Sequence, residues 1–293
     1  MLSERVRQSG EGQIGEPEQG VPDYAPALAT THTAFCDELA SAIAQLPLRQ
    51  GDRVLDVPCG DGFYSALLAQ RVGPQGTVVA ADHSSDYLEW AKRLTQPASR
   101  THVELAAADA YHLPFADDSF DLVWCAQSLI SLDAVPALRE LHRLVRPGGT
   151  VALLETDDGY HVLLPWPVGL ELALQRGLYR ACRQRYGNGV KLYPGRRLRR
   201  LLGRAGLEPV RSTTYAVSRH APLGSEDRAF FVDFFRYLRE LAWPDLRPAA
   251  RRRFETLTDP GSRHCLLNRP DFEATYLFMI TLGTKRRHRE RTS

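Results

Sequence analysis

Neither paired cysteines nor a long apolar run occurs in this 293-residue sequence. Its five cysteines, at positions 36, 59, 125, 182 and 265, form no C-x-x-C pair and have no histidine at ligand spacing. The sequence therefore predicts neither a disulfide framework nor a zinc site, and no metal is expected. The opening stretch MLSERVRQSGEGQIGEPEQG holds charges and glycines where a secretory leader carries an apolar core. No later segment reaches the roughly 18 apolar residues of a membrane span, so a soluble, cytoplasmic protein with no membrane partner is expected. Net charge is only +2, and no internal repeat or low-complexity block is visible.

What is present is ordinary globular composition, 43% hydrophobic and 25% charged, in a chain long enough to bury a large core. Charge is uneven along it. Between Arg176 and Arg211 there are eleven basic residues against one acid, Glu208. Such a stretch suits phosphates or a solvated helical face, and the second reading is preferred. Residues 1–23, rich in Gly, Glu, Gln and Pro, are expected to be a flexible segment. Leu28, Phe35, Leu39, Ile43 and Leu46 then recur at helical spacing up to Pro47.

Beyond this helix, strands alternate with helices. DRVLDV, GTVVAAD, THVELAAAD, FDLVWCAQ and TVALLE are predicted strands; FYSALLAQRV, SDYLEWAKRL and a run from Asp133 to Val145 are predicted helices, the last followed by an RPGG turn. This alternation predicts an α/β fold with a doubly wound, Rossmann-like, mostly parallel sheet. Ligands of such sheets bind beyond the carboxyl ends of the strands, which places Asp56, Asp82, Asp109 and residues 125–128 on one edge. The second half predicts helical cap insertions and a closing pair of strands, LEPVRSTTYAV and EATYLFMITLGTK, the last antiparallel. The organisation expected is a core over 24–158, a lid over 159–194, the end of the core over 195–285 with a helical insertion at about 222–270, and a basic tail over 286–293.

The stretch VLDVPCGDGFYS carries the chemistry. A glycine turn leading into a helix brings backbone N–H groups and the helix dipole close to a ligand. GDGFYS approximates a dinucleotide fingerprint, and Asp82 follows about twenty residues later, so a nicotinamide cofactor is one reading. Asp56 opposes it, because a carboxylate directly behind the turn faces the pyrophosphate; a ligand with positive charge suits it better. S-Adenosylmethionine is such a ligand. The sequence resembles the class I S-adenosylmethionine-dependent methyltransferases, whose first motif, acid-x-Gly-x-Gly-x-Gly, stands here as Asp56-Val57-Pro58-Cys59-Gly60-Asp61-Gly62, with Pro58 replacing the first glycine.

The resemblance covers about residues 50–156. It implies that Asp56, Pro58, Cys59, Gly60 and Gly62 form the cofactor turn, that Asp82 takes the ribose hydroxyls, and that His83 packs on the adenine. It implies further that Asp109 and Ala110 read the adenine edge and that Gln127 lies beside the amino-acid end. Cys59 and Cys125 are read as small buried fillers, since Trp124 stands where cytosine-C5 methyltransferases need Pro. The Asn/Asp-Pro-Pro-aromatic signature of exocyclic-amine nucleic-acid methyltransferases is absent, so nucleic acid is not expected as substrate. His32, Phe35, Thr156, Tyr160, Trp166, Tyr215 and Tyr276 are candidates for the walls of an acceptor pocket, with His161 the candidate base. The function expected is methyl transfer to a small organic acceptor by in-line displacement, in a monomer or homodimer. A nicotinamide-dependent oxidoreductase and a non-methylating cyclase or scaffold on the same fold remain alternatives.

Overall fold

A computed structural model describes residues 25–95 and 102–287. The flexible segment expected over 1–23 and residues 288–293 of the basic tail lie outside the described residues.

Branched and small apolar residues build the sheet. Strands β1 (Arg53–Asp56), β2 (Thr77–Asp82), β3 (His102–Ala107), β4 (Phe120–Ala126) and β5 (Val145–Glu155) are parallel, in the spatial order β3-β2-β1-β4-β5. Leu55, Val79, Val123 and Leu153 are fully buried on one face and Val54, Val78, Trp124 and Leu154 on the other. Helices cover both faces, as near-continuous apolar strands require. On the first face lie α5 (Ala134–Leu144) and α7 (Leu198–Arg204), which contribute Leu138, Leu141 and Leu202. On the second lie α2 (Cys36–Ile43) and α3 (Phe63–Val72), which contribute Leu39, Ile43 and Leu68.

The last strand, β8 (Glu273–Lys285), runs antiparallel beside β5, with Thr150 opposite Thr284 and Glu155 opposite Met279. Its other edge is covered along its length by β7 (Leu207–His220), while β6 (Val162–Leu163) pairs with its first half. Both closing strands and the mostly parallel sheet agree with the sequence-based expectation. Above the carboxyl ends of the parallel strands sit α1 (Ala25–Ala34), α6 (Val168–Tyr186), α8 (Ser225–Ala242) and α9 (Pro248–Thr258). An aromatic cluster joins them to the sheet: Phe230 meets Phe35 edge-on at 4.8 Å, and Trp166 stacks on Phe254 at 6.0 Å.

Two local expectations need correction. The first helical run breaks at Phe35, because its fully buried ring stacks on Tyr276 of β8 at 4.3 Å and its backbone (φ −117, ψ 21) leaves the helical region. The RPGG turn is absorbed into β5, where Gly148 takes φ +84 and the register with β4 shifts between Phe120 and Leu122. Asp133 does precede α5, but its side chain makes no capping hydrogen bond.

Candidate functional site

The carboxyl ends of β1, β2, β4 and β5 open into one cavity of about 1070 Å³, roofed by α1, α6 and α8. Its floor is the turn between β1 and α3. Gly60 and Gly62 both have positive φ there, +51 and +82, for different reasons. At Gly62 a Cβ would lie 2.7 Å from the Cα of Ala91, so glycine lets α4 (Ser85–Thr95) approach the turn. At Gly60 the space is open but for Leu28 at 3.8 Å, and its N–H donates to Asp82 Oδ2 at 3.0 Å.

Asp82 is buried, and its other oxygen accepts the N–H of Ser84 at 2.9 Å. His83 Nδ1 lies 3.3 Å from that same oxygen, with the ring exposed at the rim. Asp109 is exposed at the end of the loop after β3; the Tyr111 N–H bond, at 3.0 Å, and His112 beside it hold its carboxyl below the usual range. Pro58, Cys59, Gly60, Asp82, His83, Asp109, Ala110 and Gln127 all line the cavity. Asp56 does not: it is buried behind the turn, and the Ser65 hydroxyl of α3 donates to its carboxylate at 2.6 Å. Burial pushes its pKa up to about 8 against that bond, and the nearby charges of Asp61 and Asp82 push in the same direction. The expectation that Asp56 faces the ligand's positive charge is thereby corrected, since its side chain secures α3 to the strand. Gly62 likewise faces α4 rather than the cavity.

The residues of the cavity wall include buried polar atoms with no partner among the described residues: His32 Nε2, Tyr64 Oη and Gln127 Oε1. His32 stacks on Phe63 at 4.1 Å and holds Asp61 Oδ2 through Nδ1 at 3.1 Å. Although burial works against the Asp61 carboxylate, the His32 charge and hydrogen bond hold its pKa below the usual value. Gln127 adopts φ +50, a left-handed conformation uncommon outside glycine, where β4 ends. The residues that carry these atoms line one cavity, and such polar groups fit a polar, zwitterionic ligand group. Asp61, whose carboxyl His32 holds below the usual range, and Asp82 place acids at the turn and oppose a pyrophosphate there.

The far half of the cavity is walled by cap residues. His161, Thr156 and Tyr276 reach it with Leu178, Phe230 and Phe234. Four residues expected at the acceptor pocket lie elsewhere. Phe35 is sealed beneath Tyr276 and Phe230; Trp166 packs among Phe235 and Phe254; Tyr215 stacks on Phe278 at 4.8 Å on the sheet's outer face; and Tyr160, 40% exposed, stacks on Tyr193. Each satisfies its ring against another aromatic before it can reach the cavity.

Sequence reasoning missed two acids. Glu155, the last residue of β5, accepts the N–H groups of Ser128 and Leu129 at 2.9 and 2.8 Å, and burial pushes its pKa up to about 8. It thereby fixes the loop that carries Gln127. Asp158 accepts the Thr156 hydroxyl at 2.9 Å; burial raises its pKa, and burial lowers that of His161, whose Nδ1 donates to the Asp158 carbonyl at 3.1 Å. The only sequence signal was position: Glu155 ends a predicted strand at the ligand edge and Asp158 lies three residues beyond it.

The site thus combines a Rossmann-like sheet, an antiparallel strand beside β5, a glycine turn at the β1 end and an acid ending β2. Residues 54–149 match the family described as "Methyltransferase domain". It is 43% identical over 112 residues, 38% of this chain and 46% of the relative, to a demethylmenaquinone methyltransferase of Staphylococcus aureus strain JH9. The chain thus spans about half the length of the curated relatives it matches. Among solved structures it resembles a SAM-dependent O-methyltransferase from Thermotoga maritima, at 15% identity with TM-score 0.50, over 99% of this chain and 73% of that one. It also resembles the 4+2 cyclase SpnF, at 19% identity with TM-score 0.50, over 97% and 93% of the two chains. At these identities the likeness is one of fold.

Proposed function

We propose that this protein is an S-adenosylmethionine-dependent methyltransferase acting on a small organic acceptor. The observation that carries this reading is the single cavity joining the Gly60 turn and Asp82 to an aromatic chamber under the cap. When bound, S-adenosylmethionine supplies an electrophilic methyl group for in-line displacement. Asp82, with Gly60 and Ser84 holding its orientation, would accept the ribose hydroxyls, and His83 and Ala110 would flank the base. Gln127 Oε1, His32 Nε2 and Tyr64 Oη would meet the amino-acid end. Enclosure by α1, α6 and α8 would exclude water and align the acceptor, which is most of what methyl transfer needs.

His161 is the proton acceptor in this reading. Because a carbonyl can only accept, its bond to Asp158 places the proton on Nδ1 and leaves the Nε2 lone pair for an acidic acceptor such as a phenol or enol. Burial keeps the ring neutral, the form a base requires. Residues 159–194 form the lid of this proposal, and the relative's name makes a quinol-type ring the first acceptor to try.

The test is transfer of labelled methyl from S-adenosylmethionine to a panel of phenolic, quinol and amine acceptors, followed by release of S-adenosylhomocysteine. Label transfer to one acceptor with stoichiometric release supports the reading. Turnover of a substrate without S-adenosylhomocysteine would move the protein to the cyclase alternative, and stabilisation by NAD alone would overturn the cofactor.

A further inference from the structure

Large apolar side chains that remain exposed are not scattered over this molecule. Of the eight in the described residues, six lie within 160–190: Tyr160, Leu163, Val168, Leu172, Tyr179 and Val190. Val168 and Leu172, at 71% and 59% exposure, are less covered than a helix face packed on its own core would be. On α6 the positions 168, 172 and 179 fall within about 40° of one another around the axis, and exposed Arg176 and Arg183 fall within about a further 40°. The stripe continues beyond the helix. Gly189, next to Val190, lies flat on the Tyr179 ring, and Gln175 donates to the Gly159 carbonyl, which brings Tyr160 alongside.

Charge singles out the occupant. Arg176 and Arg183 form no ion pair among the described residues, and exposed Arg185, Arg197 and Arg200 follow in the same basic stretch. An apolar stripe bordered by arginines is the pattern of a helix that lies in a lipid–water interface. No described helix is long and apolar enough to cross a membrane, which agrees with lying on one. Away from this stripe α6 lines the cavity through Leu178 and Ala181, so one helix separates this surface from the acceptor chamber.

We propose that the outer face of α6, with Tyr160 and Val190, docks on an anionic lipid bilayer, and that the acceptor is an apolar molecule taken up from it. The second clause rests on the methyltransferase reading; the first does not. Arginines would attract the negative headgroups, and Val168, Leu172 and Tyr179 would enter the headgroup–acyl boundary.

Co-sedimentation of the full chain with vesicles tests this, using phosphatidylcholine alone and an equimolar mixture with phosphatidylglycerol. Partition onto the mixed vesicles, falling steeply with added salt, is expected. Leu172→Glu, on an exposed position that leaves the fold intact, should lower partition by about tenfold or more, and Arg176→Glu with Arg183→Glu by a similar factor. Val135→Glu, on the equally exposed Val135 of α5, should change little. No binding to mixed vesicles, or binding untouched by Leu172→Glu, overturns the proposal. Self-association in ultracentrifugation that Leu172→Glu abolishes would make the face an interface between two copies instead, and would likewise overturn it. Vesicle binding without any shift on adding S-adenosylmethionine would leave the docking surface standing and remove the methyltransferase reading.

Discussion

Asp82 has both carboxylate oxygens on backbone amides, which holds the group rigid at the cavity edge with lone pairs still free. Charge-assisted bonds from a diol to such an acceptor are worth roughly 1.5–3 kcal/mol. Asp82→Ala should therefore weaken S-adenosylmethionine by about tenfold or more in titration calorimetry; unchanged affinity would remove the ribose assignment. Asp56 makes a different prediction. Asp56 and Glu155 keep their protons up to about pH 8 in the folded chain but release them near 4 when unfolded. The folded state then binds more protons between those values, and stability falls as pH rises through that window, by up to about 1.4 kcal/mol per pH unit for each group. Asp56→Asn removes one such group, so the slope of unfolding free energy between pH 5 and pH 8 should become less negative by up to about 1.4 kcal/mol per pH unit in denaturant titrations. At this scale the sequence disclosed the residue types of the turn and of β2, because they sit at fixed offsets from strand ends. It did not disclose which way Asp56 points, since Ser65, nine residues on, competes with any ligand for that carboxylate.

The elements of the parallel half were legible for a simple reason: short runs rich in Val and other apolar residues, bounded by turn residues and alternating with helical periodicity, fit buried strands. What was not legible is how the cap packs. Phe35, Trp166 and Tyr215 looked like wall residues, yet each is captured by a ring from a distant segment, and nothing local announces such a partner. Arg219 of β7 fastens this cap: it binds Glu38 at 2.8 Å, Asp227 at 2.6 Å and the Ala34 carbonyl at 2.7 Å, and lies over the Phe35 ring. Arg219→Ala should cost roughly 1.5–3 kcal/mol in denaturant unfolding and loosen α1 and α8 in hydrogen exchange before the β1–β5 sheet. The lid makes its own prediction. His161→Ala should lower turnover by about a hundredfold while leaving S-adenosylmethionine affinity nearly intact. Residues 159–194 should gain exchange protection when acceptor joins cofactor. A mutant that loses the cofactor instead would exclude His161 as the base.

For the molecule as a whole, a ligand that binds only the folded chain stabilises it by mass action, about 2.7 kcal/mol at a hundred times its dissociation constant. S-Adenosylmethionine should therefore raise the melting temperature by several degrees and NAD should not, because Asp61 and Asp82 put carboxyl groups at the turn where a pyrophosphate would sit. The position of β8 between β5 and β7 has a consequence for synthesis on the ribosome. The five parallel strands are complete once Glu155 has emerged, but β7 has no described neighbour except β8, which is made last among the strands. At common translation rates the outer edge of β5 waits on the order of ten seconds for its partner. During that interval a nascent chain exposes a bare hydrogen-bonding edge, the kind of surface that recruits chaperones or a neighbouring copy. Slowing or stalling translation between Glu155 and Glu273 should thus raise aggregation of the newborn protein far more than an equal delay before Arg53.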